Sequence, residues 1–257
     1  MDVRRLWLIG IACVGITGCD PSADEDATGP YYEDCKTKGV WVDGAVFALT
    51  RPNGKTQLVM PDGIQYQGTV EGGADGGIVC DLDRNTFRAA LPSGAAFPDG
   101  STAGEGKVKG RIYVDNWLDM TLDIKTSAGT SIPVTASLRY DPVHQLDASL
   151  ATLAGAYQSG SLSASLDSTG RIFGQDTGNG CVVNGTLKVI EGKFNMYEVA
   201  VTQESCTGVA AVLNGLQGAG LGYYRPDNGS GADRLVLAVI TPGGTRLFSS
   251  VWFLERD

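Results

Sequence analysis

Hydrophobic and polar residues alternate with a period of two along most of the chain from about residue 36 onward. In the segment SIPVTASLRY, alternate positions form one apolar face: Ile132, Val134, Ala136, Leu138 and Tyr140. A strand points successive side chains to opposite faces, so this alternation is typical of strands with one face on a core and the other in water. The sequence therefore predicts antiparallel sheets, with about eight strands in each half of the chain.

Glycine-containing turn motifs separate these runs. They are Pro52-Asn53-Gly54, Pro61-Asp62-Gly63, Ser168-Thr169-Gly170 and Pro242-Gly243-Gly244. Such motifs fit hairpin loops, because glycine adopts the positive φ that these turns require. The composition agrees, since the 257 residues include 36 Gly and only 19% charged residues. Both features argue against a helical bundle.

One segment departs from the period of two. Within residues 141–154, Pro142 suits a first helical turn, and Leu146, Leu150 and Leu153 follow at helical spacing. We predict a short helix or a 3₁₀ turn at this place. It would connect two β halves of the chain.

The two halves are an N-terminal β domain over residues 35–140 and a C-terminal, barrel-like domain over residues 155–257. Small β domains must cover their edge strands, and closing a sheet into a barrel pairs every edge. We therefore predict an all-β, antiparallel fold of two consecutive small barrels or strongly curved sheets, joined by the short helical connector. The alternative is a single sandwich that shares strands from both halves.

The first residues have the features of an export signal. Arg4 and Arg5 precede the apolar run Leu6–Ile16, which is too short to span a bilayer. Ile16-Thr17-Gly18-Cys19 then resembles the bacterial lipobox. That resemblance implies a lipoprotein signal peptide over residues 1–18. Cys19 would then carry diacylglycerol and an N-acyl chain such as palmitate. The alternative is an ordinary secretory signal that contains a cysteine.

Residues 19–34 are acidic and rich in small residues, as a flexible tether would be. The predicted location is the bacterial cell envelope, with the lipid on Cys19 as the attachment to a membrane. Asp20 resembles the signal that keeps enteric lipoproteins in the inner membrane. That rule varies between bacteria, so the anchoring membrane can be the inner or the outer one. The protein can likewise face the periplasm or the cell surface.

Four further cysteines lie in the body of the chain, and an exported protein meets oxidising conditions. Cys35, Cys80, Cys181 and Cys206 allow three pairings. We favour the local pairing, Cys35–Cys80 with Cys181–Cys206, because it gives each half its own disulfide. A zinc site is the rival interpretation, but the chain contains no CxxC motif and a single histidine. No metal is therefore expected.

A family resemblance starts at Tyr140. The segments are YDPVHQLDASLATLAGAYQSG, LSASLDSTGRIFGQDTGNGCVVNGTLKVI and NMYEVAVTQESC. Their pattern is Ser-Leu-x-x-Leu-Ala-Gly-x-Tyr, then Gly-Cys-x-x-x-Gly and a later Cys. It resembles a module of uncharacterised proteobacterial lipoproteins over roughly residues 107–253. The spacing of one glycine differs from the pattern. The resemblance implies a calycin-like β-barrel and an envelope location, and it implies no activity.

Few residues in the chain suggest catalysis. His144 is the only histidine, and no GxSxG motif supplies a nucleophile. We expect His144 to be a surface or helix-capping residue of the connector. The glycine-rich segment 218–222 is GxGxG and not a dinucleotide motif, so we interpret it as a strand where backbones approach closely. We predict no catalytic residue and no cofactor.

The net charge of −9 makes nucleic acid an unfavourable partner. The first hypothesis is a non-enzymatic lipoprotein that binds an envelope protein or a small ligand. A protective inhibitor of an envelope-attacking enzyme is one subclass of this hypothesis. The second hypothesis is a lipocalin-like carrier of a small apolar ligand, and the third is a hydrolase that uses paired carboxylates. A large apolar cavity would favour the carrier, and a filled barrel would favour the binding protein.

Overall fold

The computed structural model describes residues 37–70, 72–74, 79–227, 229 and 231–257. Its first half contributes nine strands: β1 (Gly39–Asp43), β2 (Val46–Thr50), β3 (Lys55–Val59), β4 (Gln65–Thr69), β5 (Gly72–Ala74), β6 (Val79–Pro92), β7 (Gly104–Tyr113), β8 (Trp117–Thr126) and β9 (Ser131–Tyr140). Eight of them form an antiparallel ring in the order β1-β2-β3-β4-β6-β7-β8-β9. The ring closes where Trp41 of β1 pairs with Tyr140 of β9, and β5 pairs with β6 beside β4.

The second half forms a ring of its own. Its strands are β10 (Gly155–Ser159), β11 (Leu162–Leu166), β12 (Arg171–Asp176), β13 (Val182–Glu191), β14 (Phe194–Glu204), β15 (Gln217–Arg225), β16 (Arg234–Gly243) and β17 (Arg246–Arg256). Each strand pairs antiparallel with the next one along the chain. Tyr157 of β10 pairs with Arg256 of β17 and closes the ring. The all-β, antiparallel fold with two consecutive barrels is thus confirmed.

The connector between the rings is short and partly helical. A 3₁₀ turn covers Pro142–Gln145, and the helix α1 covers Leu150–Leu153. Asp141 caps the 3₁₀ turn, because its Oδ1 accepts a hydrogen bond from the Val143 backbone N–H at 3.0 Å. The predicted helical connector is therefore confirmed. A second 3₁₀ turn, Gly208–Leu213, lies between β14 and β15.

Each barrel is filled by the apolar face of its strands. In β8, Leu118, Met120, Leu122 and Ile124 are buried and the residues between them are exposed, as the alternation predicts. The core of the second barrel includes Tyr157, Tyr197 and Leu237. The glycines of the predicted hairpin turns have positive φ: Gly54, Gly63, Gly170 and Gly244. The pattern of alternation and turns thus specifies both rings.

The two barrels pack against each other through apolar residues on their outer faces. From the first barrel this cluster includes Phe47 and Val59, and from the second it includes Leu221, Tyr223 and Val236. Phe47 and Tyr223 meet edge to face, with ring centroids 6.1 Å apart. We call these five residues the apolar junction. It gives the two rings a shared core outside both barrels.

Polar contacts extend the packing between the barrels. The buried side chain of Gln65 donates from Nε2 to Val239 O at 3.0 Å, Ser249 Oγ at 2.9 Å and Ser250 O at 3.1 Å. Nearby, β6 and β17 pair in parallel, with Leu91 opposite Phe248. Two rings that close separately are therefore joined by side chains and by one short stretch of backbone pairing.

Candidate functional site

The predicted site residues are cysteines. Cys19 and Cys35 lie outside the described residues, and only the backbone of Cys80 is described, as part of β6. Lipid attachment at Cys19 and the Cys35–Cys80 pair therefore stay predictions. Cys181 and Cys206 are joined by a disulfide, so the second pair is confirmed.

The Cys181–Cys206 disulfide anchors one end of the second barrel. Both cysteines are buried together with Ala210, Leu213 and Phe248. Asn214 supports this end, because its Oδ1 accepts from the Cys206 backbone N–H at 2.7 Å and its Nδ2 donates to Cys206 O at 3.0 Å. The disulfide therefore holds the 3₁₀ turn that covers this end of the barrel. Its surroundings indicate a structural role.

Side chains leave little room inside the second barrel. A Cβ atom at Gly218 would lie 2.6 Å from Val239 Cγ1, and one at Gly222 would lie 2.6 Å from Leu237 Cδ2. These glycines face inward and let the larger neighbours fill the interior. Real Cβ atoms do not approach other atoms so closely. The inside of this barrel is therefore a packed core.

A groove lies instead between the barrels, beside the apolar junction. One part has a volume of about 350 Å³ and is continuous with a second part of about 630 Å³, since both include Gln67, Thr186 and Ala219 in their walls. A third part of about 310 Å³ adjoins across Leu247. We call these three parts together the groove. Each part by itself has a volume in the range of small-molecule sites.

The groove exists because the outer face of the second barrel has small side chains at this place. Ala200 of β14 pairs with Ala219 of β15, and both are exposed to the groove. Two residues further along β15, the larger Leu221 reaches the first barrel in the apolar junction. Side-chain size along one strand therefore changes a packed contact into an open groove.

Cationic side chains line the groove, although the chain as a whole is acidic. Five are Lys or Arg and two are Glu: Arg51, Lys55, Lys188, Arg88 and Lys125, with Glu198 and Glu105. Arg51 is paired with Glu198 at 2.6 Å. Among the described residues, no ion pair involves any of the other four cations. The groove therefore has a local excess of positive charge.

The floor of the groove contains a buried amide. Gln57 is only 4% exposed, and its Oε1 has no hydrogen-bond partner among the described residues. The Nε atom of Arg51 on the same wall is also buried and has no partner in the part of the chain that the structure describes. Buried polar atoms normally have partners, so these two atoms leave hydrogen-bonding capacity unused beside the groove.

His144 is not at the surface, and that part of the sequence prediction is wrong. Its side chain is 2% exposed and stacks on Phe194, with ring centroids 5.0 Å apart, while Tyr140 meets it edge to face. Neither ring nitrogen has a partner among the described residues. Burial lowers the pKa of His144 to about 4, and the charge of Lys38 adds to this effect. The histidine is therefore a neutral packing residue at pH 7.

The acidic side chains of the described residues are almost all exposed. Asp141 is the only buried carboxylate of the described residues, and it caps the 3₁₀ turn and pairs with Arg225. Asp119 and Asp123 lie on the exposed face of β8 and accept hydrogen bonds from Ser137 and Ser131. In the part of the chain that the structure describes, no three His, Cys, Asp or Glu side chains lie close enough to hold a metal ion.

No known protein family, no curated protein and no solved structure matches the chain. The likeness to a lipoprotein module therefore stays a prediction from the sequence. The helical segments that the structure describes are too short to cross a bilayer. The groove between the barrels is thus the site that the geometry of this chain supports best.

Proposed function

We propose that this protein is a lipid-anchored, non-enzymatic binding protein of the bacterial envelope, and that its ligand binds in the groove between the barrels. The observation that carries this proposal is the groove itself, with Gln57 Oε1 buried and unpartnered in its wall among the described residues. The packed interior of the second barrel supports a site outside the barrels. A carrier would need an apolar cavity inside a barrel. The packed interior of the second barrel therefore makes the carrier the weaker alternative.

The proposed anchor is supported by residues of the sequence alone. Cys19 follows a basic start and an apolar run, and the acidic residues 20–34 lead from it to the first barrel. Cys19 is both the first residue after the predicted signal peptide and the residue whose acyl chains would bind the membrane. Cys19→Ala should therefore leave a larger, unprocessed or mislocalised protein. If the variant matured and stayed in the lipid-anchored fraction, the anchor would be disproved.

The groove can be tested by photo-crosslinking from two exposed positions of the second barrel. Thr186 lies in the groove, and Ser163 lies on the outer face of β11. A benzophenone amino acid at Thr186 should form an adduct in intact envelopes, and one at Ser163 should not. The adduct should disappear when Ala219→Trp fills the groove. Equal adducts at both positions, or an adduct that survives Ala219→Trp, would disprove the site.

A further inference from the structure

We infer that the ligand of the groove is an acidic oligosaccharide, an extended chain of sugars with carboxylate or phosphate groups. The inference rests on the proposed function, because it assigns a chemical class to the ligand of the same groove. Three features of the groove carry it. They are the cations at its two ends, the uncharged polar wall between them and the closure of both barrels, which leaves the ring strands paired on both sides.

The first end of the groove offers free ammonium groups. Arg51 is paired with Glu198, whereas Lys55 and Lys188 are exposed and have no ion pair among the described residues. Arginine and lysine bind carboxylate and phosphate groups through charge-assisted hydrogen bonds. This end therefore suits an acid group of a ligand.

The opposite end repeats this chemistry with fewer charges. Arg88 of β6 and Lys125 of β8 both lie beside Glu105 of β7, with which each is directly paired in the sheet. Neither cation forms an ion pair within 4 Å in the described part of the chain. Two cations against one carboxylate leave a positive excess. A ligand that spans the groove would thus meet positive charge at both of its ends.

Between these ends the wall is uncharged and rich in amides and hydroxyls. Gln67, Asn184, Thr202 and Gln217 line this part, and Gln57 lies toward the first end. Amide side chains donate and accept hydrogen bonds, as do hydroxyl groups, so they match the hydroxyls of sugars. Ile240, Pro242 and Leu247 provide apolar surface for the faces of sugar rings.

An acidic peptide is the competing ligand, and the fold makes it less suitable. Extended peptides commonly bind by adding a strand to a free sheet edge. Each barrel closes its ring, by β1 with β9 and by β10 with β17, so the ring strands that the structure describes have a neighbour on both sides. The groove walls are outer faces of these rings. Their side chains, and not backbone groups of an open edge, are what a ligand meets.

The test is a set of titrations of the full-length protein in detergent, measured by isothermal titration calorimetry. The probes are hexagalacturonate, phosphorylated maltohexaose, unmodified maltohexaose and hexaglutamate. Binding of either acidic sugar, at least about tenfold tighter than that of maltohexaose, is expected, and it should weaken with added salt. The stronger of the two identifies carboxylate or phosphate as the acid group.

Charge variants connect that binding to the groove. Lys55→Gln with Lys188→Gln should weaken binding of the acidic sugar by about tenfold, and so should Arg88→Gln with Lys125→Gln. Lys109→Gln is the matched control, because Lys109 is an exposed lysine on the outer face of β7 and outside the groove. It should have no effect. If Lys109→Gln weakened binding as much as the pairs, the site assignment would be disproved.

The other outcomes separate this inference from the proposed function. If maltohexaose or hexaglutamate bound as tightly as the acidic sugars, or if no probe bound, the acidic oligosaccharide would be disproved. In those cases an adduct from Thr186 that Ala219→Trp removes would still support the groove as a binding site. If that adduct were also missing, both the ligand class and the groove would be disproved.

Discussion

The apolar junction and the groove are two neighbouring parts of the same contact between the barrels, and they differ mainly in side-chain size. In the junction, Phe47 of the first barrel meets Leu221 and Tyr223 of the second in a shared core. In the groove, the same outer face of the second barrel presents Ala200 and Ala219. Large residues pack the two barrels together in the junction, and small residues leave the space of the groove between them. An interface and a binding site can thus be made from one face.

The strongest way to break the junction is a buried charge. Leu221→Asp should lower the free energy of unfolding by about 3–5 kcal/mol, because the carboxylate would be buried without a partner. Ala219→Asp is the matched control on the same face of β15, and it should cost little since Ala219 is exposed. Urea denaturation of both variants measures the difference. Equal losses would show that the junction is not a packed core.

His144 should make the stability of the connector beside the junction depend on pH. Its pKa is about 6.5 in an unfolded chain and about 4 in the fold, so the folded state disfavours its proton. The stability contributed by neutral His144 is complete above pH 6.5. It is lost as the pH falls from 6.5 toward 4, by up to about 3 kcal/mol.

A His144→Phe variant isolates this contribution, because phenylalanine fills a similar space without titrating. The difference in unfolding free energy between the two proteins should change between pH 6.5 and 4, in favour of the variant at the lower pH. The charged groups that act on His144 are Lys38, Asp115 and Glu191, and they are present in both proteins. A difference that stays constant over this range would contradict the buried, neutral state.

Gln65 and Gln67 lie on the same strand, β4, and allow the packed contact between the barrels to be compared with the groove. Gln65 is buried and its Nε2 donates to the second barrel, whereas Gln67 faces the groove and is exposed. Gln65→Ala should cost about 1–2 kcal/mol, toward the lower part of the usual range because its Oε1 has no partner among the described residues. Gln67→Ala should stay within about 0.5 kcal/mol. Thermal unfolding checks both, and similar losses would contradict the difference in burial.

The smallest effect on stability is expected for filling the groove. Ala219→Leu should change the free energy of unfolding by no more than about 0.5 kcal/mol, since the new side chain lies on an exposed surface. It should nevertheless prevent the adduct from Thr186. Ala156→Leu, on the exposed face of β10, is the control and should leave the adduct in place. A large loss of stability in Ala219→Leu would mean that the groove is closer to a packed contact.

The alternation of the sequence was enough to predict the rings, because the inward positions of a strand such as β8 are apolar from Leu118 to Ile124. It did not predict the groove. Ala200 and Ala219 are outward residues of ordinary strands, and only the neighbouring barrel makes them part of a site. A signal for the junction does exist in β16, where Leu235–Ile240 is apolar at every position and not at alternate ones. Such a run is typical of a strand that is covered on both faces.

Each ring is closed by a pairing between its first and last strands, and these strands lie far apart in the sequence. Trp41 pairs with Tyr140, and Tyr157 with Arg256, so in each barrel the two residues of this closing pair are 99 positions apart in sequence. Contacts at such separations form slowly, because the chain must lose the entropy of a long loop first. During synthesis the first ring can close before the second is complete. Until the second barrel has formed, Phe47 and Val59 on the finished barrel remain uncovered, and apolar surface exposed in this way favours aggregation.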